Sequence, residues 1–564
     1  MYKDDFILEI CQGVETCLTD QHVAAYPNHK VLSHENLACH LYSMNPSGED
    51  YFFHTESYNS QHVNTSDVHK AASEVNSTAA IIQLMNDKPY VSVVYANCDK
   101  VVCKTDYWGL YSCYYYRDAK RFILTNNIYR LAKILHKNQD QESLYELLFF
   151  NSLRGKKTLF EDIHSFLPKQ AMYFDIKNND VQFSGDNQFE ELFDLSGSLP
   201  MRDAYDKFFE QAKKAVADPG ASLSSGSDSR TVVSCLLKQE MNPKIYSWGE
   251  KNYVETQKVA QLAKEAHLDV NLISMQSFGV NFDDIYLDSM YLANGLLASA
   301  HHTHFYRQLP KPVTMFEGFL GSEFIKAVLS EGMASYPFAE VISKNKPLPE
   351  VMEKYFGDFD PAFRKKMEQY LQDHFSSIFL DINVKENYPK LIHYAYSHIP
   401  SKRMSGICTI AKNLGIKQYL PFLDIDILKA TFNSGFGVAN YSNLNRINPG
   451  TIGYYKPEAI IVKHMNSKLY NAELGVDFSF KETLEYPEKI TRLLKKARSF
   501  RDRYKYKNCY IGHVDFSRIN QHILETVSKL ELFSDVASEP TVFKYSYVNN
   551  ALFAKYMISR LLAK

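Results

Sequence analysis

The feature that most constrains the fold is an alternation of strand-like and helix-like segments that begins near residue 221. Short β-rich runs at 221–223 and 244–248 are each followed by a segment with helical spacing, at 229–238 and 254–266. A later run at 313–316 predicts a further buried strand. Strands separated by helices indicate a parallel, doubly wound sheet, which binds ligands at the carboxyl ends of its strands.

The N-terminal part of the chain shows a different pattern, rich in strand-like runs. Residues 91–103, VSVVYANCDKVVC, contain two β-branched runs separated by a polar turn, as in a hairpin. Polar stretches at 184–187 and 196–200 then interrupt the pattern. We therefore predict two domains, residues 1–190 and 200–564, the second of which ends in a mostly helical part.

Charge and composition exclude several classes of protein. The 63 Lys and Arg residues against 65 Asp and Glu give a net charge of -2, so no global basic field exists to hold nucleic acid. A content of 45% hydrophobic and 14% aromatic residues excludes a mainly disordered chain. The nine cysteines include no C-x-x-C pair, so neither a zinc ribbon nor a thiol redox centre is indicated. Since no signal peptide and no long apolar run is recognisable, we expect a cytoplasmic protein without a membrane anchor.

The most informative segment is a serine- and glycine-rich loop between the first strand and the first helix of the alternating region. Its residues are Leu223, Ser224, Ser225, Gly226, Ser227, Asp228 and Ser229. Small residues let backbone NH groups approach an anion, and the helix N-terminus adds about half a positive charge. Asp228 is suited to hold Mg²⁺, an ion that keeps several waters and takes other ligands from a bound polyphosphate. The alternative is a Ser/Gly-rich turn that only caps the helix.

This loop resembles the S-G-G-x-D-S pyrophosphate loop of the N-type ATP pyrophosphatases, with Ser225 where the first glycine usually stands. Residues 105–116, TDYWGLYSCYYY, resemble the R-D-x-x-G-x…L-Y-Y stretch of the glutaminase domain of asparagine synthetases. Residues 158–168, TLFEDIHSFLP, resemble the T-L-F-x-x-I…L-P segment of the same domain. Residues 421–424, PFLD, match a motif of the synthetase domain. The chain is therefore identified as a member of an asparagine synthetase-like family.

The resemblance implies a fold and a reaction. The fold would be an α+β N-terminal nucleophile-type sandwich, followed by an α/β parallel-sheet ATP pyrophosphatase domain (adenine nucleotide α-hydrolase-like) with a helical C-terminal part. A carboxylate would attack the α-phosphate of Mg·ATP to give an acyl adenylate and pyrophosphate, and an amine would then displace AMP to form an amide. The partners would be a small-molecule or polymer-linked carboxylate and an amine donor, with no nucleic acid and no membrane. A homodimer is one option for the assembly.

The resemblance also assigns roles to residues. All seven loop residues are expected to contact the nucleotide or its pyrophosphate. Leu223 and Gly318 would border adenine through their backbones, and Ser247 or Trp248 would line the base. The family's second motif, G-x-G-x-D-E, corresponds to residues 318–323, GFLGSE, in which Glu323 is the available carboxylate. We therefore expect Asp228 and Glu323 to hold magnesium, with Glu323 as the catalytic candidate.

The chain departs from the family at two further places. Active glutaminase domains of the family begin with a cysteine, whereas position 2 is Tyr2, and Cys11 and Cys17 are internal. We therefore predict that glutamine is not hydrolysed and that the amine is free ammonia or a second substrate. Counting onward places Glu473 where a catalytic lysine normally neutralises the α-phosphate. The alternative cations nearby are Lys456, Lys463 and Lys468.

Two other functions stay open: ordinary asparagine synthesis from ammonia and aspartate, and a nucleotide-binding pseudoenzyme that acts as a scaffold.

Three further features have two interpretations each. The cluster His301, His302 and His304 is either a metal site or, more simply, a polar pocket wall. Arg230 contacts phosphate or an acceptor carboxylate, or else forms a surface salt bridge. The basic segment 492–507 is a solvated helix face or a docking site for an anionic polymer or peptide.

Overall fold

A computed structural model describes residues 5–12, 26–34, 37–44, 51–59, 64–185, 189–278, 280–294, 299–326, 346–380, 399–437, 452–465, 467–507, 516–527 and 546–563, together with a few isolated positions. Within these residues the protein is a mixed α/β structure with two antiparallel sheets, one parallel sheet and surrounding helices. The mixed class and the parallel sheet predicted from the sequence are confirmed.

Two antiparallel sheets form the N-terminal part. In chain order the strands are β1 (Phe6–Gln12), β2 (Asn28–His34), β3 (Leu37–Ser43), β4 (Phe52–Ser57), β5 (Val91–Ala96), β6 (Lys100–Lys104), β7 (Tyr114–Arg117), β8 (Arg121–Thr125), β9 (His164–Ser165), β10 (Ala171–Asp175) and β11 (Asp180–Ser184). One sheet has the order β2-β3-β1-β8-β7-β9 and the other the order β11-β10-β6-β5-β4. The predicted hairpin at 91–103 is present as the antiparallel pair β5 and β6.

The two sheets pack face to face and carry helices on their outer faces. The helices of this part are α1 (Thr65–Glu74), α2 (Thr78–Asp87), α3 (Ile128–Ile134) and α4 (Gln141–Phe150). Phe6 of the first sheet and Met172 of the second belong to the core between the sheets. Because side chains alternate along a strand, Val93 points the other way and packs with residues of α1 and α2. Ile123 of the first sheet likewise packs in a cluster that includes α3 and α4.

The second part is organised around the parallel sheet. Its strands are β12 (Pro219–Ser222), β13 (Lys244–Trp248), β14 (Val270–Ile273), β15 (Val313–Phe316) and β16 (Ile416–Tyr419). Their order is β14-β13-β12-β15-β16, and every neighbouring pair is parallel. After β12 the chain adds β13 and β14 on one side of this strand and then β15 and β16 on the other side. The strand order therefore reverses between β12 and β15, and their carboxyl ends form a topological switch point.

Helices cover this sheet and continue to the end of the described chain. They are α5 (Met201–Ala215), α6 (Ser227–Lys238), α7 (Val254–Ala266), α8 (Phe282–Leu292), α9 (Ala300–Gln308), α10 (Leu348–Phe356), α11 (Pro361–Leu380), α12 (Ser405–Asn413), α13 (Ile425–Asn433), α14 (Lys456–His464), α15 (Phe480–Glu485), α16 (Glu488–Lys505), α17 (Phe516–Val527) and α18 (Ser546–Ala563). The predicted helices at 229–238 and 254–266 correspond to α6 and α7. In the part of the chain that the structure describes, we find no helix with both the length and the apolar character required to cross a bilayer.

The two parts of the chain meet around residues 421–424. The indole Nε1 of Trp108 donates a 2.7 Å hydrogen bond to the Leu423 carbonyl. The Tyr90 hydroxyl donates to Asp424 Oδ2 at 3.1 Å. Residues 105–116 and 421–424, two of the segments that carry the family resemblance, are therefore in direct contact.

Candidate nucleotide-binding site

The predicted loop 223–229 and the predicted segment 318–323 lie against each other at the switch point. The loop joins β12 to α6, and the segment follows β15, the neighbour of β12. A Cβ atom at Gly318 would lie 2.8 Å from the backbone nitrogen of Ser229, and one at Gly321 would lie 2.7 Å from Asp228 Oδ1. Only glycine permits this approach, so both glycines are required for the two segments to meet.

The serines of the loop organise its backbone. The Ser224 amide donates to Ser229 Oγ at 3.0 Å, the two hydroxyls are also 3.0 Å apart, and the Gly226 amide donates to Ser224 Oγ at 3.2 Å. Gly226 precedes α6 and offers no side-chain cap to its first turn. The first amides of α6 therefore stay available for an anion, and the start of the helix is accessible because Ser224 is half-buried and Gly226 is exposed.

Ser225 has a structural role in this loop. Its hydroxyl donates to the Glu255 carboxylate of α7, and its carbonyl accepts from the Gly475 amide at 2.8 Å. The Ser225 side chain is buried. Its hydroxyl therefore holds the loop against α7.

A lysine that the sequence reasoning did not single out lies at the centre of the site. Lys326 Nζ is 2.8 Å from Asp228 Oδ1, donates to Ser227 Oγ at 2.7 Å and lies 3.6 Å from Glu458 Oε2. The side-chain exposure is 6% for Lys326, 0% for Glu458 and 23% for Asp228. Asp228 is thus the most exposed member of this cluster.

The charge states of the cluster follow from burial and pairing. Burial opposes the charged form of Lys326, but Asp228 and Glu458 outweigh it and raise the lysine pKa. Burial alone would raise the pKa of Asp228, yet Lys326 and the hydrogen bonds hold it below its usual value. Burial raises the pKa of Glu458 well above its usual value. The shifts favour the charged forms of Lys326 and Asp228 and the neutral form of Glu458.

The donor set at Asp228 is compatible with a magnesium ion. Asp228 Oδ2 accepts from Ser322 Oγ at 3.0 Å, and Oδ1 is paired with Lys326. A carboxylate offers about four lone-pair sites, so acceptor capacity is left on the exposed side of Asp228. Glu323 follows Ser322 in the short π-helical turn Gly321–Ile325 and is half-buried. The structure thus brings Glu323 to the same turn that touches Asp228.

The predicted adenine side lies at the end of β13. The Leu223 amide donates to the Tyr246 carbonyl at 2.8 Å, which joins the loop to this strand, and Ser247 is buried. The half-buried Trp248 ring lies 5.4 Å from the His301 ring. Trp248 and His301 therefore pack together at the end of the strand to which Leu223 of the loop is bonded.

The three histidines do not converge on a metal site. Ser299 Oγ is 2.7 Å from His302 Nδ1, and burial lowers the His302 pKa well below its usual value. The His302 ring lies 5.6 Å from Phe319, whereas His304 Nε2 is 3.4 Å from Ser277 Oγ. Since His302 and His304 have separate surroundings, the structure supports the interpretation of a polar and aromatic wall.

The sequence reasoning missed a buried carboxyl at the end of β15. Glu317 accepts hydrogen bonds from the Tyr306 hydroxyl at 2.7 Å and from the Gln418 amide. Burial raises the Glu317 pKa to about 7. Glu317 immediately precedes Gly318, and an acidic residue between an apolar strand and a glycine is the signal that was available in the sequence.

Both interpretations of Arg230 were wrong. Its side chain is completely buried and donates to the carbonyls of Ser225 at 3.0 Å, Ala472 at 3.2 Å and Glu473 at 2.7 Å. Burial lowers its pKa to about 9. Arg230 thus joins residues 472 and 473 to the serine-rich loop through main-chain carbonyls, and its guanidinium is buried in this role.

The Glu473 carboxylate is neutralised by arginines. It lies 3.1 Å from Arg498 Nε and 2.7 Å from Arg501 Nη2. Glu473, Asp477 and Asp502 are close enough together to suggest a cation site. Lys258 lies 2.8 Å from Asp477 and 3.1 Å from Asp502, so the group is an ion-pair network.

The alternative cations considered for the Glu473 position lie elsewhere. Lys463 is paired with Glu485 at 2.8 Å, and Lys456 and Lys468 are exposed. Among the described residues, the lysine that contacts the loop aspartate is Lys326.

The prediction that glutamine is not hydrolysed rests on residues close to the N-terminus. Tyr2 and Cys17 lie outside the described residues. Cys11 is buried within β1, opposite Ala38 of β3 and Arg121 of β8. Cys11 is therefore an interior strand residue, and its thiol is enclosed between strands.

Comparison of the chain with models of known protein families gave no match. Comparison with curated proteins gave no significant match.

Proposed function

We propose that this protein is an asparagine synthetase-like ligase that forms an amide bond through an acyl adenylate and releases AMP and pyrophosphate. The observation that carries the proposal is the meeting of two glycine-dependent loops at the switch point, with Asp228 and Lys326 beneath the uncapped start of α6. This arrangement combines helix amides, a fixed cation and one accessible carboxylate, which suits a polyphosphate. The N-terminal sheets are then a glutaminase-like domain without glutaminase activity.

Each group has a task in the proposed reaction. The α6 amides and the Ser224 hydroxyl bind pyrophosphate oxygens, and Lys326 supplies the fixed positive charge that offsets the negative charge developing during adenylation. Asp228 and Glu323 would hold magnesium, which would supply positive charge that offsets the charge of a bound polyphosphate. Leu223 and Gly318 border the adenine through their backbones, and Ser247 and Trp248 flank it.

Glu317 would support the second loop, because its side chain is buried and accepts hydrogen bonds from Tyr306 and Gln418. Its position directly before Gly318 puts it at the end of the strand that carries the second loop. The amine is ammonia or a second substrate, because the proposal includes no glutamine hydrolysis.

The test is release of pyrophosphate by the purified protein with ATP, magnesium and a panel of carboxylates and amines. The proposal expects equal amounts of AMP and pyrophosphate with at least one pair of substrates. Turnover with aspartate and ammonia alone would identify asparagine synthesis proper. ATP hydrolysis to ADP, or absence of ATP binding, would contradict the proposal.

One observation favours a second candidate, a nucleotide-binding scaffold. Lys326 is paired with Asp228 at 2.8 Å and lies 3.6 Å from Glu458, so its charge has partners within the protein. Such a cluster stabilises the fold whether or not catalysis occurs. ATP binding without pyrophosphate release on any substrate panel would identify the scaffold.

A further inference from the structure

Helix α16 exposes a continuous row of apolar side chains to solvent. The row, called the α16 stripe below, consists of Ile490, Leu493, Ala497, Phe500 and Tyr504 of the helix together with Tyr486, which lies just before it. The exposed fraction is 66% for Leu493, 78% for Phe500 and 75% for Tyr504. The intervals alternate between four and three residues, the spacing that keeps side chains on one narrow face of a helix. An unbroken face of this kind indicates a binding surface.

The opposite face of α16 fixes the helix on the protein. Thr491 is completely buried and its hydroxyl donates to the Glu482 carbonyl at 3.1 Å. Arg498 makes two 2.7 Å hydrogen bonds to the Glu482 carboxylate. The Asp502 carboxylate is paired with Lys258. The α16 stripe therefore faces outward because the other side of the helix is anchored.

Cations accompany the stripe at a matching interval. Lys489, Lys496 and Arg503 recur every seven residues along one edge of it. All three are exposed, and none of them forms an ion pair with any residue that the structure describes. Other cations of the basic segment are already engaged: Arg492 with Glu488 and Arg501 with Glu473 and Asp502. The unengaged positive charge is thus concentrated next to the apolar row.

The spacing distinguishes between occupants. Apolar residues at alternating intervals of three and four with charges every seven are the register of a helix that packs against another helix. A lipid surface requires no such register and is usually contacted by a broader apolar face. A second copy of α16 would bring Lys496 and Arg503 against cations of the same kind, which is unfavourable.

We propose that the α16 stripe docks an amphipathic helix of a partner protein whose flanking positions are acidic. Apolar side chains of the partner pack between Leu493 and Phe500, and its glutamates or aspartates pair with Lys489, Lys496 and Arg503. The surface is separate from the candidate nucleotide site and does not depend on the function proposed for that site. The proposal narrows the interpretation of the segment 492–507 as a docking site. Lys495 contacts the Phe478 ring and Arg498 binds Glu482, so these two cations hold the helix in place and are not part of the docking surface.

The experiment measures binding of a synthetic acidic helix to the full-length protein. The probe is a fluorescent peptide of about four heptads with Leu or Ile at the a and d positions and Glu at the e and g positions. A peptide of the same apolar pattern with Lys at e and g serves as the charge control. The proposal expects the acidic peptide to bind and the basic peptide not to bind.

Two variants remove the two elements of the surface separately. Leu493→Ser/Phe500→Ser removes the apolar contact, and Lys489→Glu/Lys496→Glu/Arg503→Glu reverses the charge. Each should weaken binding of the acidic peptide by about tenfold or more. Val280→Ser is the matched control for the first variant, because Val280 is 67% exposed on another part of the surface. Lys365→Glu/Lys366→Glu on exposed positions of α11 is the control for the second.

Each outcome decides the proposal. Binding of the acidic peptide that both stripe variants abolish and both controls retain supports it. No binding of the acidic peptide, or binding that the stripe variants do not change, overturns it. Two further results, obtained while the peptide does not bind, also overturn it. Loss of binding to phosphatidylserine vesicles in the stripe variants would identify a lipid surface as the occupant. Dissociation of a dimer by the same variants in sedimentation experiments would identify a second copy of the protein.

Discussion

The ammonium group of Lys326 lies 2.8 Å from Asp228 Oδ1, and the lysine side chain is only 6% exposed. This pair brings a fixed cation to the start of α6, beside the serine-rich loop. A buried charge is retained only when it is paired, so each partner depends on the other. The pair therefore has both a structural and a proposed catalytic role, and these can be separated.

Removing the cation should destabilise the protein and abolish its proposed activity. In Lys326→Met, Asp228 loses its buried ion partner, and we expect the free energy of unfolding to fall by about 3 kcal/mol. In the double variant Asp228→Asn/Lys326→Met, no charge is left unpaired, so stability should partly recover while pyrophosphate release stays absent. Chemical denaturation and the pyrophosphate assay measure the two effects. Lys207→Met, which removes an exposed lysine paired with Asp426, should change neither.

Filling the contact between the two loops should separate them. Gly318→Ala places a methyl group 2.8 Å from the Ser229 backbone nitrogen, so one loop must move. We expect ATP affinity, measured by calorimetry, to fall by about tenfold or more, which corresponds to about 1.4 kcal/mol. Gly453→Ala is the matched control, since nothing lies within 4 Å of a Cβ atom there. Equal affinities for the two variants would show that the loop contact is not part of the ATP site.

Titration of Glu317 should appear in the pH dependence of stability. Its pKa is raised from 4.5 to about 7 in the folded protein, so the folded state binds its proton more tightly than the unfolded state. Its contribution to stability is therefore complete below about pH 4.5 and is lost as the pH rises to about 7, a change of about 3 kcal/mol. Glu317→Gln should remove this component from unfolding curves measured across that range. Glu353→Gln, at a 72% exposed side chain, should leave the curve as in the unaltered protein.

Much of the fold and part of the site could be predicted from the sequence. The strand, serine-rich loop and helix around Asp228 are consecutive in the chain, so local patterns sufficed for them. Lys326 and Glu458 could not be found in this way, because their meeting with Asp228 depends on packing between distant segments. Arg230 was misinterpreted for the same reason: its carbonyl partners include Ala472, far along the chain.

The N-terminal domain should release no glutamate from glutamine. Position 2 is tyrosine, and Cys11 is buried inside β1. A coupled assay for glutamate with the purified protein measures this directly. Glutamate release that disappears in Cys11→Ser would show that a buried thiol becomes accessible and would contradict the prediction.

The most direct test of the central claim is the stoichiometry of AMP and pyrophosphate formed from ATP in the presence of magnesium and a carboxylate panel. The account predicts equal amounts of both products in the unaltered protein and in the control Asp426→Asn, an exposed aspartate. It predicts a loss of about a hundredfold or more in Asp228→Asn, because the carboxylate that would hold magnesium and that pairs with Lys326 is removed. Equal rates in Asp228→Asn and the unaltered protein would contradict it.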